Sequence, residues 1–207
     1  MTVRKPRPRN ARGEGDRLRD EVVAAAAALI AEDGPRALTL RAIARRVGVT
    51  APAIYAHFEN LDDVLKAVVD STFAALADHL REAGAGHDDP VSRLRAYCHA
   101  YVAFGRDLPL QYAILFSRAV EIPSADSQKE LENLEGAGAF AILLSAIKEC
   151  IDAGVSESTQ PVDDAIAVWV ALHGYVGLRT AVANFPWPPA DTLLDVLIDR
   201  LARLISG

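Results

Sequence analysis

The chain has 207 residues, 51% hydrophobic and 24% charged, a globular composition with room for one ordinary domain or a small one joined to a larger one. Aromatics make up only 6%, and the period-two clusters of Val, Ile and Thr that signal strands are missing, so an all-α fold is expected. The net charge of −6 argues against a nucleic-acid partner until it is mapped: residues 1–58 hold 11 Lys and Arg against 6 Asp and Glu, the remainder 11 against 22, a basic end suited to phosphate on an acidic body.

The first residues carry Arg4, Lys5, Arg7, Arg9 and Arg12 among Pro6 and Pro8. No apolar run follows them, so they do not read as a secretory leader. Residues 1–14 are expected to be a disordered basic arm. From Asp16, the spacing of Leu18, Val22, Ala25, Ala26, Leu29 and Ile30 predicts a helix, ended by Asp33-Gly34-Pro35. Thr39 caps a second, short helix with Leu40, Ile43, Ala44 and Val47 inward, and Gly48 stops it. Thr50 caps a third, with Pro52 in its first turn and Ile54 and Phe58 inward. Asn60 caps a fourth, whose stripe is Val64, Leu65, Val68, Leu76 and Leu80.

Five further helices are expected at 90–106, 109–119, 126–153, 162–184 and 190–206, punctuated by Pro90, Pro109, Pro123, Gly154, Pro161 and the Pro186/Pro188/Pro189 cluster. The total is about nine. The apolar runs at 22–31 and 165–178 are too short to span a bilayer, and no membrane partner is expected. Cys98 and Cys150 stand outside any C-x-x-C pattern, which suits a reduced, cytoplasmic setting.

Two short helices joined by a tight turn bury little surface and persist only when packed on another helix, here the first. Ala44 is small where the helices cross, Gly48 supplies a positive φ at the turn, and Ile54 returns to the shared core. Small residue, four on to Gly, six on to an aliphatic is the spacing of a helix-turn-helix, whose second helix enters the major groove.

The stretch "LTLRAIARRVGVTAPAIYAHFENLDDVLKAV" resembles the DNA-binding region of TetR family transcriptional regulators. The likeness rests on Thr39, Ala44, Gly48-Val49, Tyr55-x-His57-Phe58 and Leu65, and covers residues 16–70. "WVALHG" at 169–174 is similar to the Trp…His-Gly motif of one subgroup of such C-terminal domains. The resemblance implies a homodimeric, all-helical regulator with an N-terminal reading domain at 15–61 and a larger ligand-binding and dimerisation domain at 62–207.

It also implies groove-facing side chains at Arg41, Ala51, Pro52, Ala53 and Tyr55, and phosphate contacts at Thr39, Thr50, Tyr55 and His57. Physics supports most of these. A hydroxyl and free amides at a helix start suit phosphate. An arginine can grip guanine O6 and N7, and the Ala51 and Ala53 methyls can lie on thymine methyls. His57 reads as a phosphate donor rather than a metal ligand. Where the family usually has a lysine before the fourth helix, this chain has Leu61. The basic arm either compensates by following a groove or is a solubilising tail.

In the body, 162–184 is apolar nearly all round and the last helix has a broad apolar face, with Leu193, Leu194, Leu197, Ile198, Leu201, Leu204 and Ile205. Such helices suit a four-helix bundle with their symmetry mates, and Gly174 and Gly177 allow close approach. Tyr97, Tyr101, Phe104, Tyr112, Phe116, Phe140, Trp169 and His173 are the candidate lining of a small-molecule effector site. Each aromatic also reads as plain core, and His173 as either a polar anchor or a side chain satisfied by a backbone carbonyl.

Catalysis finds no support. Cys98 and His99 are adjacent and point about 100° apart on a helix. No i, i+4 pairing for zinc and no Gly-rich phosphate loop occurs, so neither a metal nor a cofactor is expected.

Overall fold

The computed structural model describes residues 14–116 and 137–205. The basic arm and the sequence expectations for 117–136 lie outside the described residues. Nine α-helices and no strand occur among the described residues: α1 Glu14–Asp33, α2 Leu40–Val47, α3 Ala51–Tyr55, α4 Leu61–Gly84, α5 Pro90–Asp107, α6 Pro109–Leu115, α7 Ala137–Asp152, α8 Pro161–Ala181 and α9 Ala190–Leu201. The chain divides into two compact units, Met1–Val69 and Asp70–Gly207. This division falls inside α4, whereas the boundary expected from sequence stands at its start.

In the first unit α1 packs on α2, and α2 on α3. The core is Val22, Ala26, Leu29 and Ile30 of α1, Ile43 and Ala44 of α2, Ile54 of α3, then Phe58, Val64 and Val68. Sequence chemistry sets the helix ends. The Ala42 N–H donates to Thr39 Oγ1 at 3.1 Å, so Thr39 caps α2. Gly48 closes α2 in the left-handed region (φ 82°), donating to the Ala44 carbonyl at 2.9 Å. Beside a buried Ala44, this turn aims α3 away from α2. At α4 a reciprocal cap forms: Asp63 N–H donates to Asn60 Oδ1 at 3.0 Å, and the Glu59 and Asn60 N–H groups donate to Asp63 Oδ2 at 3.0 and 3.3 Å.

In the second unit α5 is central, touching α6, α7, α8 and α9. Its buried side is Leu94, Cys98, Tyr101 and Phe104. Its polar side grips an acidic row on α9: Arg95 Nη2 reaches Asp199 Oδ1 at 2.6 Å, and His99 Nε2 reaches Asp195 Oδ1 at 3.0 Å. Cys98 and His99 therefore face different neighbours, as their adjacency on a helix requires. Burial pushes the Cys98 thiol up to about 12, which leaves it inert as a nucleophile.

Two expected helix ends move. The long helix expected at 162–184 stops at Ala181, and the last helix stops at Leu201 rather than at 206. Leu204 instead pairs with Ser156 in a single antiparallel bridge, the Glu157 N–H donates to the Arg203 carbonyl at 2.9 Å, and the Ile205 N–H to the Val155 carbonyl at 3.0 Å. Arg203 adopts φ 50°, a conformation that costs a non-glycine residue about 1 kcal/mol. Its guanidinium Nε reaches both carboxylate oxygens of Asp164, at 3.3 and 3.1 Å. Asp164 is only 7% exposed, so this cation is what makes its burial tolerable.

Candidate nucleic-acid interface and effector cluster

In the first unit, none of the eight side chains expected to meet DNA is buried. Thr39, Arg41, Thr50, Pro52 and Tyr55 are exposed, and Ala51, Ala53 and His57 are half-buried. Tyr55, at the end of α3, is 56% exposed beside the buried Ile54 and Phe58. Thr50 stands at the cap position of α3 but makes no side-chain capping bond, so its hydroxyl is not spent on the helix end, whereas that of Thr39 is engaged in its cap.

The cations of this unit divide by partner. Arg46 makes a forked pair with Glu32, with Nη1–Oε1 at 2.9 Å. Hydrogen bonding to Arg46 lowers the Glu32 carboxyl, and Glu32 raises Arg46 in turn. Arg19 lies 5.3 Å over the Phe58 ring. Arg41 and Arg45, one turn apart on α2, have no side-chain partner among the described residues and remain free for an outside anion. Arg45 is missing from the sequence-based set. Its signal was there, since it is four residues from Arg41 and so on the same helix face.

The second unit brings six of the eight candidate lining residues into one linked cluster. The Tyr101 and Tyr112 hydroxyls are 3.1 Å apart, and the Tyr112 hydroxyl is 2.7 Å from His173 Nδ1. Phe116 lies 4.1 Å, ring centre to ring centre, from His173 and 6.3 Å from Trp169, which meets Phe140 at 6.1 Å. Tyr101 and Tyr112 are buried, while Phe116, Phe140, Trp169 and His173 are half-buried. The cluster thus has a polar floor and an aromatic, partly open side.

The other two candidates sit elsewhere. Phe104 meets His79, and Tyr97 lies against Gly84, where any added Cβ would meet its ring. Sequence reasoning missed Phe73 of α4, which stands edge-on to Phe116 at 6.3 Å. It falls within a helix whose stripe reads as ordinary core, and nothing local marks it out. His173 finds neither a backbone carbonyl nor solvent alone, but the hydroxyl of Tyr112.

Burial pushes the Tyr101 and Tyr112 phenols above their ordinary values and lowers His173 below its ordinary 6.5. All three groups are neutral near pH 7. Because the folded value of His173 lies below the unfolded one, its contribution to stability is full above 6.5 and is lost as pH falls through the folded value. Thermal unfolding across a pH series should therefore show the midpoint falling below that pH, and His173→Gln should flatten the fall. An unchanged slope in that variant would mean His173 is solvated.

A helix-turn-helix with free basic and aromatic side chains, followed by a larger helical unit, defines a DNA-binding regulator. The family described as "Bacterial regulatory proteins, tetR family" matches residues 22–68, and "Tetracyclin repressor-like, C-terminal domain" matches residues 94–202. The chain belongs to the TetR family of transcriptional regulators, which are not enzymes.

Among curated relatives, the uncharacterized HTH-type transcriptional regulator Rv0681 of Mycobacterium tuberculosis is 27% identical over 192 residues, 91% of this chain and 80% of that one. Two solved structures share the fold. A protein of unknown function from Rhodococcus sp. RHA1 has a TM-score of 0.75 at 23% identity, covering 97% of this chain and 98% of that one. FadR from Bacillus subtilis, in complex with stearoyl-CoA, has a TM-score of 0.67 at 16% identity, covering 90% and 99%. No helix among the described residues is long and apolar enough to cross a membrane.

Proposed function

We propose that this regulator is a cytoplasmic repressor that binds a palindromic operator as a homodimer and is released by a small, mostly apolar effector. The observation that carries the DNA contacts is the side chain of Tyr55, left 56% exposed in a chain that has few aromatics to spare. With the unpaired Arg41 it forms the directional part of the reading surface. Ala51, Pro52 and Ala53 supply a slim apolar edge, and Thr39, Thr50 and His57 hold register on phosphates. Arg45 adds a further cation for the backbone.

The dimer reading rests on α8 and α9. Val170 and Leu178 of α8 are 60% and 53% exposed, and a Cβ added at Gly174 or Gly177 would meet nothing within 4 Å. A second copy would cover that face, and reading a palindrome requires two heads. The effector reading rests on the aromatic cluster around His173. FadR, a fold neighbour, is seen in complex with stearoyl-CoA, a ligand with a long apolar acyl chain, which is in keeping with a mostly apolar effector here.

Release needs differential affinity: the effector can loosen DNA only by as much as it prefers the state that does not bind it. Gel-shift of the full chain on the DNA flanking its own gene should give a retarded band with two protomers per site. Compounds that raise its melting temperature should then dissolve that band. Stabilising compounds that instead strengthen the band would replace repression-and-release with ligand-assisted binding.

A further inference from the structure

The hydrogen-bond chain at the floor of the aromatic cluster can be assigned a direction by counting protons. Tyr112 has one hydroxyl proton and two partners, Tyr101 at 3.1 Å and His173 Nδ1 at 2.7 Å, so it donates in one bond and accepts in the other. Suppose it donates to Tyr101. His173 must then carry its proton on Nδ1, and the Tyr101 proton needs another acceptor. Tyr101 is 5% exposed, and its only recorded hydrogen-bonding partner among the described residues able to accept is Tyr112. The indole of Trp169, the other polar group near it, can only donate. Among the described residues that arrangement leaves a buried hydroxyl proton without an acceptor, a larger penalty than a hydrogen bond is worth. In the opposite direction every proton is placed: Tyr101 donates to Tyr112, and Tyr112 donates to His173 Nδ1.

We propose that this one-way relay holds His173 with its proton on Nε2, and that His173 thereby presents a fixed donor to a flat, apolar effector bearing a neutral acceptor oxygen such as a carbonyl. The inference rests on the reading of the cluster as the effector site. Nε2 has no protein partner among the described residues, and none of them takes up the donor. The surrounding rings of Phe116 and Trp169 favour a flat partner. Among the described residues, the groups that meet His173 are the neutral phenol of Tyr112 and the ring of Phe116, surroundings that suit a ketone oxygen.

Two measurements test this on the full chain. With histidine labelled in nitrogen-15, long-range nitrogen–proton correlation reads the tautomer directly, and His173→Gln identifies the signal. The Nε2–H form is expected in the unaltered protein, and a mixture in Tyr112→Phe. An Nδ1–H form, or a mixture before any substitution, would overturn the relay.

The second uses an isosteric probe pair, 2-acetylnaphthalene and 2-isopropenylnaphthalene, titrated by calorimetry. The ketone should bind about tenfold more tightly than the hydrocarbon, and His173→Ala should erase the preference. Equal binding of both probes would overturn the donor assignment and leave the effector site standing. Binding of neither would count against the cluster as an effector site and remove the ligand class with it.

Discussion

Arg41→Ala should abolish operator binding at concentrations where the unaltered protein saturates its site, without lowering the melting temperature. A bidentate arginine–guanine contact is worth about 1–3 kcal/mol. In a twofold complex each substitution is felt at both half-sites, so the affinity should fall roughly 30-fold to 20,000-fold. Stability should be untouched, because Arg41 is exposed and has no partner among the described residues. Tyr55→Phe removes one hydroxyl from an exposed ring and should act more gently, by about tenfold for the dimer. Arg46 is the internal comparison: it is basic and nearby, yet held by Glu32, and its loss should cost far less. Undiminished binding by both Arg41→Ala and Tyr55→Phe would remove these residues from the interface.

Val170→Asp should yield a folded monomer that no longer binds operator. Val170, Gly174, Gly177 and Leu178 recur at the spacing of one helix face, and within the protomer that face is open. An aspartate there is harmless to an isolated protomer. Facing its own symmetry mate across an apolar seam, it is desolvated and repelled, at a cost of several kcal/mol. Light scattering at micromolar concentration should halve the mass while circular dichroism stays constant. A dimer that survives the substitution would place the seam elsewhere.

Nearly every helix was legible in the sequence, because its stripe has a single period and its ends carry Pro, Gly, Thr or Asn where backbone groups need them. The reading head was legible for the same reason: Ala44, Gly48 and Ile54 satisfy steric demands that few other residues meet. The end of the last helix was not. Leu204 and Ile205 continue the apolar period of α9, and only a bridge to Ser156, far away in sequence, turns them out of it. The aromatic cluster was half legible. Scarce aromatics marked the helices that meet in it, but the partner of His173 lies 61 residues away, and local pattern cannot say which distant side chain completes a hydrogen bond. Phe104 and Tyr97 looked equivalent to Tyr112 in sequence, yet helix rotation sends them to other neighbours.

The clasp at the end of the chain bears on how two protomers would meet. Arg203, Asp164 and the Ser156–Leu204 bridge tie the far end of α9 to the loop before α8 and to α8 itself, while Asp195 and Asp199 tether its middle and end to α5. The two helices that would form the seam are thus anchored within each protomer before any encounter. Association would then resemble docking of finished surfaces, with little ordering entropy to lose. Differences in lifetime between variant dimers would appear in how fast they part rather than in how fast they find each other.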